Sequence, residues 1–90
     1  MSQRLHILVK GRVQGVYFRV YTQKQAIKHG INGYVRNLED GTVEIIAHGS
    51  PDAVQQLLTW CHKGPLLAKV TEVITKPVEH VERFDGFEIR

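Results

Sequence analysis

The chain has 90 residues, of which 42% are hydrophobic and 23% are charged. These proportions are ordinary for a globular protein and exclude a disordered chain, and the length leaves room for one hydrophobic core. We therefore expect a single domain over residues 1–90. Twelve basic and nine acidic residues give a net charge of +3, which favours anionic ligands without identifying one. The one cysteine, Cys61, excludes an intrachain disulfide and a thiolate zinc cluster.

The N-terminal segment carries no targeting or membrane signal. Its longest apolar run, Ile7–Val9, is too short for the core of a signal peptide. Nothing in the chain approaches the ~20 apolar residues that a membrane span needs. We therefore expect a soluble protein of the cytoplasm with no membrane partner.

Hydrophobic periodicity and turn residues predict the elements of the first third of the chain. A two-residue alternation over residues 5–10 indicates a half-buried strand that ends at Gly11. A loop with two glycines follows over residues 11–19, and residues 18–29 then predict a helix with Gly30 at its C-cap. The predicted inner face of this helix consists of Phe18, Thr22, Ala26 and His29, which fall at helical spacing.

The middle of the chain predicts a hairpin and a second helix. Residues 31–38 and 42–48 are expected to form antiparallel strands, because the Asp-Gly pair between them is a strong hairpin signal. Ser50 then supplies an N-cap hydroxyl, and a proline and an acid follow it, which is typical of a helix start. The helix ends at Gly64, and its predicted buried stripe is Val54, Leu57, Leu58 and Cys61.

The last third predicts a strand over residues 69–76 and a short closing strand over residues 84–90. A bulge is expected near Val73, because the alternation is imperfect there. The order β-α-β-β-α-β with a short final strand predicts an α+β, ferredoxin-like sandwich: an antiparallel sheet with both helices on one face. This fold hosts many unrelated functions and does not decide the activity.

The segment Gly11–Arg19 (GRVQGVYFR) is the first candidate for a functional site. A strand that runs through a glycine loop into a helix presents several backbone N–H groups at the positive end of the helix dipole, where proteins bind anions. Arg19 adds a planar cation that can hold two phosphate or carboxylate oxygens. The same pattern also fits a tight turn with Arg19 in solvent, and the segment has neither a P-loop ending nor a GxGxxG pattern.

The second candidate is Asn37, near the end of the strand that precedes the hairpin turn. Its amide can donate and accept hydrogen bonds at once, which suits holding a water molecule. An asparagine at this place also simply begins the turn in many proteins, and the residue alone favours that interpretation. Both interpretations stay open at this point.

Two longer patterns together resemble the signatures of the acylphosphatase family. The first is Val9-x-Gly11-x-Val13-Gln14-Gly15-Val16-x-Phe18-Arg19. The second is Gly33-Tyr34-Val35-Arg36-Asn37, followed by Gly41-x-Val43 and Gly49. Their spacing, the element order and the ending Phe84-x-Gly86-Phe87-Glu88-Ile89-Arg90 extend the similarity over essentially the whole chain.

The resemblance implies hydrolysis of the carboxyl-phosphate bond of a small-molecule acyl phosphate to a carboxylate and inorganic phosphate, without a metal, a cofactor or a phosphoenzyme. It implies that Arg19 holds the phosphate and that Asn37 positions the attacking water. The phosphate-binding residues that it implies are Gln14, Gly15, Val16, Tyr17, Phe18 and Arg19. Inorganic phosphate is then both product and inhibitor, and a monomer is expected.

Two positions vary from the common family pattern. Tyr17 occupies a site where family members often carry a smaller residue, and Tyr34 stands where many have tryptophan. A tyrosine at position 17 leaves a cradle of backbone N–H groups intact and could alter access or the preferred acyl group. All acyl phosphates share the reacting group, and nothing in the motifs recognises the rest of the molecule.

No metal site is predicted. The histidines form neither an HExxH motif nor an i, i+4 pair with a second ligand, so we expect solvated or structural roles for His6, His29, His48, His62 and His80. Cys61 lies on the predicted buried stripe of its helix and is expected to be a small core residue and not a nucleophile.

Three other function classes stay open at this point. Ferredoxin-like sheets include RNA-binding domains, but the aromatic RNP1 run is absent, so no nucleic-acid partner is expected. An accessory domain like the one fused to larger carbamoyl-transfer proteins is the second alternative, although we expect the chain to stand alone. The third is a phosphate sensor with the cradle but no turnover, against which Asn37 argues.

Overall fold

The computed structural model describes residues 2–79 and 82–90, which form a five-stranded sheet and two helices. The elements in chain order are β1 (Gln3–Arg12), α1 (Phe18–Lys28), β2 (Asn32–Asn37), β3 (Val43–Gly49), α2 (Pro51–Lys63), β4 (Lys69–Pro77) and β5 (Phe87–Ile89). The strand order in the sheet is β4-β1-β3-β2-β5. This arrangement confirms the predicted ferredoxin-like fold. Within the described ranges, no helix has the length and apolar character to span a membrane.

The sheet is mixed, which differs in one respect from the predicted antiparallel sheet. The pairs β1–β3, β1–β4 and β2–β3 are antiparallel, whereas β5 lies parallel to β2. Because β4 ends at the end of the sheet where β2 begins, a following strand at the β2 edge runs in the direction of β2. β5 has only three residues, and the alternation of their side chains does not indicate whether the strand runs parallel or antiparallel to β2.

The bulge lies close to its predicted place. Lys10 of β1 pairs with Glu72 of β4, but the next residue, Gly11, pairs with Val70. The extra residue is therefore Thr71, two positions before Val73. Beyond this irregularity β1 continues to Arg12, one residue past its predicted end.

Both helices begin and end close to the predicted residues. In α1 the residues Phe18, Thr22 and Ala26 are buried, as predicted, whereas His29 is the half-buried C-cap and Gly30 follows it with a φ of 70°. The hydroxyl of Ser50 caps α2 by accepting a hydrogen bond from the Ala53 N–H at 3.2 Å. Three members of the predicted stripe of α2 are fully buried, Val54, Leu57 and Cys61, and Leu58 is half-buried.

The helices cover one face of the sheet, and the core lies between them and the odd-numbered residues of the central strands. These inward residues are Leu5, Ile7, Val9, Val35, Val43, Ile45 and Ala47. The opposite face carries polar side chains around Glu44, which receives hydrogen bonds from Tyr34 and Arg36 and contacts His6. Strand alternation thus places residues 33, 35 and 37 of β2 on the helix side.

Candidate active site

A short loop between β1 and α1 builds a backbone cradle. Val16 and Phe18 are buried, whereas Gly15 and Tyr17 between them are exposed. Gly15 has a φ of 74° and Tyr17 a φ of 64°, both in the left-handed region. That conformation is free for Gly15, but it costs about 1–2 kcal/mol for a residue with a side chain. Backbone strain of this kind is typical of binding sites, where the surrounding structure holds the chain in place.

Packing under the cradle fixes its position. The Phe18 ring lies 5.3 Å from the Trp60 ring, centre to centre, at an angle of 52°. Gly64, with a φ of 71°, also lies close to Phe18, and a Cβ there would come to 2.8 Å from the ring. The end of α2 therefore packs against the first residue of α1.

The positive end of α1 is not offset by a capping side chain or by an acidic residue in its first turn. Its N-cap is Tyr17, whose side chain makes no capping hydrogen bond, and the first turn has no acidic residue. The first N–H groups of a helix have no acceptor within the helix, and the dipole makes this end positive. The cradle can therefore accept an anion.

A cavity of about 330 Å³ lies over the start of α1 and brings Arg19 and Asn37 together. Its lining residues are Val13, Gly15, Tyr17, Phe18, Arg19, Val20 and Asn37. Arg19 is half-buried. Its guanidinium forms no ion pair with any carboxylate in the ranges that the structure describes. Among the described residues, Arg19 thus offers a cation without a carboxylate partner at the positive end of the helix.

Asn37 lines this cavity and carries a buried, unsatisfied acceptor. It is the last residue of β2 and lies on the helix side, like Val35. Its Oδ1 atom is buried, and within the described part of the chain it has no hydrogen-bond partner. A buried acceptor without a partner costs about 1–3 kcal/mol, so such atoms in folded proteins call for an explanation.

The turn after Asn37 is stabilised by another residue. Asp40 Oδ1 accepts hydrogen bonds from the Thr42 N–H at 3.1 Å and from the Thr42 hydroxyl at 2.6 Å. These two bonds, the hydroxyl first, hold the pKa of Asp40 below its ordinary value. Since Asp40 makes the turn contacts, turn formation does not account for the side chain of Asn37.

Gln14 ties the cradle to that same turn. Its amide Nε2 donates to the carbonyl oxygens of Leu38 at 2.8 Å and of Thr42 at 2.9 Å. Both amide hydrogens are therefore engaged by the protein. Gln14 joins the phosphate-binding candidates on one side to the segment that follows Asn37 on the other. No local pattern in the sequence indicates this contact, because its partners are backbone atoms of a distant segment.

The cavity gathers most of the predicted site residues. Gly15, Tyr17, Phe18, Arg19 and Asn37 line it. Gln14 and Val16 do not: the amide of Gln14 points to the turn, and the side chain of Val16 is buried. Val13 and Val20, which flank the predicted phosphate-binding residues 14–19 and were not assigned to the site from the sequence, are two further apolar lining residues of the cavity.

Other residues singled out from the sequence lie elsewhere. Tyr34 is on the sheet face opposite the helices, where its hydroxyl donates to Glu44 at 3.1 Å. Burial raises the pKa of the Cys61 thiol to about 12, which keeps it protonated and unreactive. His80 is outside the described residues. Among the residues that are described, no group of three or more His, Cys, Asp or Glu side chains could hold a metal ion.

Comparison with known proteins gives the family. The family model described as Acylphosphatase matches residues 5–89. A curated acylphosphatase of Thermococcus kodakarensis is 48% identical over 86 residues, which are 96% of this chain and 93% of that protein. Among solved structures, an acylphosphatase from Coxiella burnetii matches with a TM-score of 0.93 and 36% identity, covering 99% of this chain and 93% of that one.

The same fold also occurs inside a longer protein. The full-length HypF structure, solved with phosphate and nucleotide, matches all of this chain but only 12% of its own length, with a TM-score of 0.88 and 25% identity. The curated relative, by contrast, is matched over 93% of its length. The fold, the family model and the relative agree, and the chain belongs to the acylphosphatases, the family of enzymes that hydrolyse acyl phosphates.

Proposed function

We propose that this protein hydrolyses acyl phosphates without a metal, with Arg19 and the backbone cradle holding the phosphoryl group and Asn37 holding the attacking water. The observation that carries this mechanism is the cavity lined by both Arg19 and Asn37. Within the described residues Arg19 has no ion-pair partner and the buried Oδ1 of Asn37 has no hydrogen-bond partner. The residues assigned to phosphate binding are Gln14, Gly15, Val16, Tyr17, Phe18 and Arg19. Gln14 and Val16 contribute through backbone and placement, because their side chains point elsewhere.

The leaving group explains why no acid is needed. A carboxylate is the conjugate base of an acid with a pKa of about 4, so it departs without being protonated. Phosphoryl transfer passes through a loose transition state whose charge is spread over the phosphoryl oxygens, and catalysis consists mostly of positioning and charge stabilisation. Preorganised N–H donors at the start of α1 and the fork of Arg19 supply that stabilisation without reorganising.

Asn37 supplies the positioning. Its Oδ1 accepts an O–H of the water, whose oxygen forms a bond to phosphorus while the bond between phosphorus and the acyl oxygen breaks. The electron pair of that bond leaves with the carboxylate. The proton of the water passes to a phosphoryl oxygen of the substrate, so no separate base is required.

Two variants with matched controls test these roles. Arg19→Ala is expected to lower kcat/KM at least about 100-fold and to weaken inhibition by inorganic phosphate, because it removes a transition-state donor. Arg83→Ala removes an exposed arginine that does not line the cavity and is expected to retain activity. Full activity of Arg19→Ala would refute the assignment.

Asn37→Ala is expected to lower kcat and to leave the inhibition constant of inorganic phosphate nearly unchanged, because its partner is water. Asn32→Ala, at the other end of β2, is the control. Loss of phosphate affinity with kcat preserved would contradict the role. Phosphate binding by a folded wild-type protein without any turnover would indicate a phosphate sensor in place of an enzyme.

The remaining parts of the proposal concern the setting of the reaction. We expect competitive inhibition by inorganic phosphate, since product and substrate share the cradle. We also expect a cytoplasmic monomer that folds as one domain over residues 1–90. Gel filtration at several protein concentrations checks the monomer, and a concentration-dependent change in elution would contradict it.

A further inference from the structure

A second cavity adjoins the cradle and is apolar. It has a volume of about 410 Å³, in the range of small-molecule sites. Its lining residues are Val16, Tyr17, Tyr21, Trp60, Pro65, Leu66 and Leu67, none of which carries a charge. Tyr17 lines both this groove and the cavity that holds Arg19. We call the second cavity the apolar groove.

The outer wall of the groove leaves apolar side chains in water. Leu66 is 97% exposed, Leu67 62% and Tyr17 68%. The two leucines lie in the short connection between α2 and β4. This connection begins at the buried Gly64, and the Ala68 N–H donates a hydrogen bond across it to the Pro65 carbonyl at 3.0 Å. Exposed apolar side chains grouped around a concave surface are typical of a ligand site.

The geometry points to the apolar groove as the binding site for the acyl part of the substrate, which makes this enzyme selective for acyl phosphates with alkyl or aryl acyl groups. This inference rests on the proposed phosphate-binding role of the cradle. The acyl group is one bridging oxygen away from the phosphorus, so it must lie in a space that adjoins the cradle. The groove meets this condition through Tyr17.

The position of the groove also agrees with an in-line reaction. The attacking and leaving oxygens lie on opposite sides of the phosphorus. Asn37, the proposed water site, lines the cavity over the cradle but not the groove. An acyl group in the groove therefore leaves the water site free.

The chemistry of the lining sets the class of acyl group. A second phosphate or an ammonium group on the acyl part would meet no opposite charge among the lining residues. Each methylene that becomes fully buried contributes about 0.8 kcal/mol, or about fourfold in kcat/KM. Because the groove is open on the leucine side, we expect about half of that free energy, which is about twofold for each methylene.

The test compares kcat/KM of the full-length protein for acetyl, butanoyl and hexanoyl phosphate. The four additional methylenes of hexanoyl phosphate are expected to raise kcat/KM about 16-fold over acetyl phosphate in the wild type. The double variant Leu66→Ala/Leu67→Ala removes the exposed wall and is expected to lower this ratio at least about threefold. Both residues are exposed, so the variant is expected to fold.

Ile27→Ala is the matched control. Ile27 is 64% exposed, like Leu67, but lies near the end of α1 and does not line the groove. Its hexanoyl-to-acetyl ratio is expected to equal that of the wild type. A second readout is the affinity for unreactive analogues in which CH₂ replaces the bridging oxygen, measured by calorimetry with the acetyl and hexanoyl forms.

The outcomes separate the two proposals. Hydrolysis of acetyl phosphate with a ratio near one, the same in the wild type and the double variant, overturns the groove assignment and leaves the proposed function intact. A folded protein that hydrolyses none of the three substrates refutes the proposed function. If its affinity for the analogues is then also independent of chain length, the groove assignment falls as well.

Discussion

The side chain of Gln14 offers a sharp test of how the cradle and Asn37 are held together. It donates two hydrogen bonds, of 2.8 and 2.9 Å, to the backbone carbonyls of Leu38 and Thr42. Each such bond contributes about 0.5–1.5 kcal/mol net, so Gln14→Leu is expected to lower the free energy of unfolding by about 1–3 kcal/mol. This is a fraction of the 5–15 kcal/mol typical of small domains, and the variant is expected to stay folded.

The effect on activity is expected to be larger than the loss of stability suggests. Without its anchor the loop can shift relative to Asn37, and a displacement of about 1 Å between reacting groups can cost about 100-fold in rate. We expect Gln14→Leu to lower kcat about 10- to 100-fold. The affinity for inorganic phosphate is expected to change little, since the start of α1 remains.

Gln23→Leu is the matched control for this prediction. Gln23 is also half-buried, and its amide also donates to a backbone carbonyl, that of Phe87, at 2.8 Å. This contact ties α1 to β5 and lies outside the cavity. Urea unfolding and steady-state kinetics should show destabilisation in both variants but a loss of kcat in Gln14→Leu alone. A folded Gln14→Leu with wild-type kcat would refute the reasoning.

Three further predictions concern strain, pH and burial. Tyr17→Gly relieves the strain of a side chain on a left-handed backbone. It is expected to change the unfolding free energy by less than about 1 kcal/mol, because the larger entropy that glycine loses on folding offsets the relief. A loss above about 2 kcal/mol in urea unfolding would contradict this. Burial alone would raise the pKa of Glu44, but hydrogen bonds, that of Arg36 foremost, lower it. At pH values above its ordinary pKa, Glu44 therefore stabilises the fold, and this stabilisation is lost as the pH falls through the lowered pKa. Glu44→Gln should make the midpoint of urea unfolding depend less on pH in the acidic range. The same pH dependence in both proteins would contradict the contribution. Cys61, with its thiol pKa raised to about 12 by burial, should react with a thiol reagent only after unfolding, and equal rates with and without urea would contradict this.

The fold could be predicted largely because its signals are local. Alternation marked the inward residues of β1, and the run of Ser50, Pro51 and Asp52 marked the start of α2 where the structure has it. The parallel direction of β5 could not be predicted in the same way. It depends on which edge of the sheet the last strand joins, and three residues with one buried side chain carry no information about that.

The residues of the candidate site also differ in how far the local sequence predicts their roles. The glycine loop and Arg19 are contiguous in sequence, so their pattern brings an anion site into consideration, although it also fits a tight turn with Arg19 in solvent. The side chain of Asn37 is different, because its sequence position favours turn formation. Only the contacts of Asp40 with Thr42 separate the two roles. The anchoring contact of Gln14 and the apolar groove escaped prediction because each joins segments that are far apart in the chain.

The most direct test of the account is hydrolysis of benzoyl phosphate in water labelled with heavy oxygen, with EDTA present throughout. If a water held by Asn37 attacks phosphorus without a metal, hydrolysis proceeds at its full rate. Mass spectrometry then finds one labelled oxygen in the phosphate and none in the benzoate. Label in the benzoate would show attack at the carbonyl carbon, and loss of activity with EDTA would show a need for a metal. Either result would contradict the proposed mechanism.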